Sequence, residues 1–313
     1  MFVVAFIVHW PFFLHTPLVE KHVRTGFFSK HLDTFFSTGF FSGAAFHGIM
    51  LCLVLGTMAV LLNQMLIEQR MFLKSNHLGG VTLLLFSGLL PMGIELNETL
   101  LTLLFVSLIF IRMTRLYNHP APKTALFNIG LLLGISGTIQ SVSLVYVLPV
   151  YIGISLARPF RAAEWVVLLL GLLTPFYFLW AIDYLSDGTV LTEKPSLFFH
   201  GLSFLNNPTT IVLFLLPFLF SIVGFLVINR HVNKLLIQAR KNWSLLFLFG
   251  LTSVLTVFLS NAPLAELNYS IWPFLSIITS PFFYFLKPTW LNYGIQWLLL
   301  LVGWTVVLIP MYT

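Results

Sequence analysis

Residues 163–184 read AEWVVLLLGLLTPFYFLWAIDY, and between Glu164 and Asp183 none is charged. A helix needs roughly 20 apolar residues to cross the hydrocarbon of a bilayer, and this stretch meets that length. Residues 43–65, GAAFHGIMLCLVLGTMAVLLNQM, repeat the pattern without a single charge. Outward from these two, further apolar runs lie at 2–15, 79–94, 99–112, 124–139, 142–157, 207–228, 243–260, 266–286 and 290–311. The expected fold is all-α: a polytopic transmembrane helical bundle of about 11 helices, one integral membrane domain over 1–313. The first run holds His9, Trp10, Pro11 and His15, and reads either as a crossing or as an interfacial segment. No basic residue precedes it and no clear cleavage site follows, so a cleaved signal peptide is not expected.

Composition agrees with the runs. Of 313 residues, 58% are hydrophobic and 8% charged, where a soluble domain carries about 25% charged residues. So few charges would leave a water-facing surface prone to association, whereas a bilayer demands such a surface. The net charge of +6 does not point to nucleic acid, because the basic residues are scattered singly and form no stripe or known motif. Cys52 stands alone, which excludes an internal disulfide and any cysteine-rich metal site; within its apolar run it reads as a small buried hydrophobe.

The basic residues instead carry orientation. With the N-terminus on one side and the runs alternating, twelve of the 16 Lys and Arg residues fall on that side, from Arg70 and Lys74 to Lys287, and four on the other: Lys21, Arg24, Lys30 and Lys194. The positive-inside rule makes the first side, with the N-terminus, the cytoplasm. Residues 16–42 then form a first periplasmic loop and 185–206 a second. The first mixes charges with Phe27/Phe28, Phe35/Phe36 and Phe40/Phe41, a composition that suits the membrane interface.

No phosphate-binding glycine loop, paired-histidine zinc signature or nucleophile elbow stands out. Candidate chemistry rests on placement. Glu20, Asp33, Glu95, Glu98, Asp183, Asp187, Glu193 and Glu266 fall on or near the outer side, while Glu68 and Glu164 lie beside arginines on the inner one. Asp33, in Lys30-His31-Leu32-Asp33, is the carboxylate placed to act as a general base toward a hydroxyl. With His22 or His31 it could also hold a divalent cation; no other cofactor is expected. Arg24 or Lys30 could neutralise a diphosphate. Arg158 and Arg161 read as interfacial anchors or lipid-phosphate contacts. Trp290, Trp297 and Trp304, seven apart, read as packing or an interface belt. In KTALFNIGLLLGISGTIQSVSLVYVLPVYIGISLARPF, residues 123–160, Gly130, Gly134 and Gly137 permit close helix approach. Ser136, Thr138, Gln140, Ser141 and Ser143 gather at the turn, which is either a wet hairpin tip or the wall of a cavity.

From Ala125 to Arg158 this helix pair resembles that of integral-membrane glycosyltransferases of the GT-C type, with a Gly-rich helix, a polar turn and a Leu/Pro-rich helix in order. The resemblance implies a GT-C-like fold, a polyprenyl-phosphate-linked sugar donor and a catalytic acid in the first outer loop, where Asp33 matches by position. Two departures weigh against it: the loop has no adjacent acidic pair, and Gln140 stands near where a basic residue is usual. Residues 43–260 also resemble an uncharacterised family of bacterial inner-membrane proteins, through LNQMLIEQRMFLKSNHLGG (62–80), LARPFRAAEWVVLLLGLLTPFYF (156–178) and RKNWSLLFLFGLTSVLTVFLS (240–260). It implies a multi-pass inner-membrane location and envelope partners, with no activity attached. The expected function is a periplasmic-side membrane glycosyltransferase or glycan polymerase, with Asp33 catalytic and Arg24, Lys30, His31 and Gln140 binding substrate. The alternatives are a non-catalytic subunit or scaffold of an envelope assembly, and a transporter.

Overall fold

The computed structural model describes residues 1–9, 44–89, 98–117, 121–186, 208–259, 264–286 and 289–308. Among them are eleven α-helices and no strand: α1 (Phe2–His9), α2 (Ala44–Glu68), α3 (Leu78–Ser87), α4 (Glu98–Thr114), α5 (Pro122–Ile139), α6 (Val147–Ala157), α7 (Ala162–Leu185), α8 (Pro208–His231), α9 (Ile237–Leu259), α10 (Leu264–Phe285) and α11 (Thr289–Leu308). Each matches one apolar run of the sequence. One run is divided: a 3₁₀ turn, Ser141–Tyr146, precedes α6. Serine hydroxyls compete for backbone groups and disfavour a regular helix start there, and Gln140 before them is extended, at φ −136° and ψ 112°.

α10 is the hub, packing on α3, α4, α8 and α9. Its prolines Pro273 and Pro281 each remove a backbone donor. The Ser280 hydroxyl donates to the Ile277 carbonyl at 2.6 Å, supplying the bond that Pro281 cannot make. Phe110, Tyr146, Phe249 and Phe274 meet at the centre, with ring centroids 5.3 to 6.2 Å apart. α1 is integrated into the bundle. The Trp304 indole donates to the Val8 carbonyl at 3.3 Å, and buried His9 bonds the Ala5 carbonyl at 2.9 Å and the Ser87 hydroxyl at 3.2 Å.

The glycines of α5 do mark a close approach, but to α7 rather than to α6. A methyl on Gly130 would overlap the Leu168 carbonyl, and one on Gly134 would meet the Leu172 carbonyl and the Pro175 ring. A methyl on Gly171 would in turn overlap the Phe127 carbonyl. α7 is otherwise open. Only 17% of its apolar window is buried, against 56% in α2, and these two helices are long and apolar enough to cross a membrane. Leu169, Leu173, Phe178 and Trp180 point outward from α7, as do Leu219 and Leu226 from α8 and Trp290, Tyr293 and Trp297 from α11. The tryptophan stripe is therefore split: Trp290 and Trp297 face outward, and Trp304 holds α1.

Candidate functional site

At one end of the bundle polar side chains are drawn inside. α4 begins with Glu98 and Thr99, and Thr102 follows one turn later; all three are buried. Opposite them α5 ends, and Ser136, Thr138, Gln140, Ser141 and Ser143 are buried as well. The Gln140 amide donates to the Thr99 hydroxyl at 3.2 Å. Ser143 donates to the Ser136 hydroxyl at 3.1 Å, and Ser136 to the Leu133 carbonyl at 2.8 Å. Tyr146 bonds Thr256 of α9. Among the described residues the Thr102 hydroxyl has no hydrogen-bond partner. The wet-tip reading of this turn is thereby corrected: Gln140 is 6% exposed, because protein closes around the tip and its polar groups satisfy one another. Glu98 in the first turn of α4 also sits where the helix dipole favours a carboxylate.

Of the residues given a catalytic or substrate-binding role from the sequence, Gln140 alone among the described residues lies in this group, together with Ser136, Thr138, Ser141 and Ser143 of the polar turn and with Glu98. Asp33, Arg24, Lys30 and His31, and residues 187–206 of the second loop (185–206), lie outside the described residues. Thr99 and Thr102 were not singled out from the sequence. Their i, i+3 spacing behind Glu98 is the signal that would have found them, since it puts three polar groups on one face of α4. Among the described residues no three His, Cys, Asp or Glu side chains come together in a metal-holding group.

The opposite end gathers charge. Arg115 pairs with Glu68 at 2.7 Å. Gln69 accepts from Gln238 at 2.6 Å and Asn242 at 3.2 Å, and the Trp243 indole donates to the Met71 carbonyl at 3.0 Å. Lys241 stands 4.5 Å from the Tyr117 ring centre. Glu164, with a side chain 3% exposed, lies 3.7 Å from Arg158 and 3.8 Å from Arg161. Two of the stretches that suggested an inner-membrane family, 62–80 and 240–260, thus meet directly. The third, 156–178, contains Arg158, which donates to the Leu116 carbonyl at 3.4 Å beside them. No family model, curated protein or solved structure matches the chain. What this bundle does is therefore argued from its own residues: a sealed polar group at one end, and a cationic network at the other.

Proposed function

We propose that the chain is a multi-pass protein of the bacterial inner membrane. Its N-terminus and cationic end face the cytoplasm, and its outer face handles a polyprenyl-phosphate-linked sugar as a glycosyltransferase or glycan polymerase. The membrane reading is supported by the outward apolar faces of α7, α8 and α11, which water would not tolerate. The orientation is supported by the positive-inside rule. The observation that carries the enzymatic reading is the buried constellation of Glu98, Thr99, Thr102 and Gln140. Polar groups are expensive inside a membrane bundle and mark functional ground there. They lie at the end to which helix alternation in the sequence assigns the first loop, 16–42, and with it Asp33. In this reading Asp33 accepts the proton of the attacking hydroxyl, Arg24 and Lys30 hold the diphosphate, and Gln140 positions the start of α4.

A second reading, a non-catalytic envelope subunit or scaffold, is favoured by the closure of the same turn, whose amide and hydroxyls bond one another. Surface glycan profiles of the native host separate the two. At matched membrane levels, Asp33→Asn should abolish a glycan that wild type makes. A profile unchanged by Asp33→Asn but altered by full deletion selects the scaffold. No change in either removes both glycan roles and leaves a transporter.

A further inference from the structure

Between α2 and α3 the chain makes an unusual turn. The amide of Met71 bonds the Leu66 carbonyl and the amide of Arg70 bonds the Ile67 carbonyl, both at 3.1 Å. This is the double closure of a Schellman motif, whose left-handed position normally holds glycine. Here it holds Arg70, at φ 48°, a conformation that a side-chain-bearing residue adopts at a cost. The turn opens on a cleft of about 340 Å³, walled by Arg70 and Lys74, by Ser75 and Asn76, and by apolar Ile67 and Leu73. The loop is held in place: the Lys74 amide donates to the Tyr284 hydroxyl at 3.1 Å, and Asn76 accepts from the Leu78 amide at 3.1 Å. Arg115 nearby is neutralised by Glu68. Among the described residues neither Arg70 nor Lys74 has an acidic partner. Two uncompensated cations thus share a pre-formed cleft whose other wall is greasy.

We infer that this cleft binds the phosphate headgroup of an anionic lipid, with Arg70 and Lys74 on the phosphate oxygens and Ile67 and Leu73 against the first part of the acyl chain. Arginine matches phosphate geometry with a fork of donors, and lysine adds a point charge. The exposed apolar wall favours an amphiphile over a free anion. The site lies at the opposite end of the bundle from Gln140 and does not depend on the role proposed for Asp33.

The test uses the full chain purified into nanodiscs of phosphatidylcholine with and without phosphatidylglycerol, followed by native mass spectrometry of retained lipid. Wild type should retain phosphatidylglycerol. Arg70→Gln and Lys74→Gln should each lower retention about fivefold, while Lys123→Gln, at an exposed cation elsewhere, should not. Arg70→Gly guards against misfolding, since glycine relieves the left-handed turn; its melting temperature should rise while retention falls. Displacement of the lipid by inorganic pyrophosphate would keep the phosphate site but make a soluble anion its ligand. Equal retention in all variants, or equal loss in Lys123→Gln, would overturn the site.

Discussion

Gly130 shows how little room the bundle leaves. An added methyl would overlap the Leu168 carbonyl and stand 2.9 Å from the Leu172 amide nitrogen, and backbone cannot swing aside as a side-chain tip can. Gly130→Leu should therefore cost about 3 kcal/mol, read as a lowered melting temperature in detergent. Gly294 is the control: nothing lies within 4 Å of its added methyl, so Gly294→Ala should be neutral or stabilise by about 0.4–1 kcal/mol. Equal behaviour of the two would mean that α5 and α7 are further apart than described here. A second contrast concerns Glu164. Its neighbour Arg158 has a side chain 17% exposed, while that of Arg161 is 66% exposed. Removing a buried partner strands a buried charge, so Arg158→Gln should destabilise by about 3 kcal/mol. The solvated Arg161 should contribute no more than about 1 kcal/mol. Thermal unfolding of the two single variants ranks them, and the reverse order would relocate the carboxylate's main partner.

At the scale of the helix, α7 is the decisive element. Leu173, near its midpoint, is 49% exposed. In water Leu173→Lys would be harmless or would help solubility. At the centre of a bilayer the same change costs about 2.5–3.5 kcal/mol, and a membrane-insertion reporter carrying α7 should show that loss. Unchanged insertion would remove α7 from the bilayer. The existence of α7 was plain in the sequence, because its hydropathy is unbroken. Its partner was not, because a helix apolar on every side has no stripe to say which face turns inward. Gly130 and Gly134 announced a close contact but not with whom; α7 is the partner. The 3₁₀ turn at Ser141–Tyr146 was hidden for a related reason. Apolar Val142, Leu144 and Val145 keep the run hydrophobic, while the serines between them redirect the backbone.

Across the whole molecule the two ends differ in kind, and the sequence shows this unevenly. The cationic end was readable in part, since lysines and arginines punctuate the runs and Glu164 sits in sequence beside Arg158 and Arg161, which it meets, whereas Glu68 meets Arg115 on another helix. The polar end was half readable: Gln140 stands out in an apolar stretch, but the burial of Thr99 against it needs two helices to be brought together. Alternation of the helices is what ties these ends to the two sides of a membrane, and it can be tested by parity. Between Lys123 and Asp187 lie α5, the 3₁₀ turn with α6, and α7. The turn and α6 together rise about 28 Å, at 2.0 and 1.5 Å per residue, close to the roughly 30 Å of the hydrocarbon. In the proposed multi-pass reading, three crossings would put the two positions on opposite faces. Cys52 is buried and is the sole cysteine, so Cys52→Ala gives a clean background for single cysteines at 123 and 187. With the outer membrane permeabilised, an impermeant maleimide should label Asp187→Cys in intact cells and Lys123→Cys only after lysis. The opposite labelling would invert the bundle and place the Arg70 cleft outside. Equal labelling of both would mean that one of the three crossings fails, and the segment through Gln140 would then fold back on its own side.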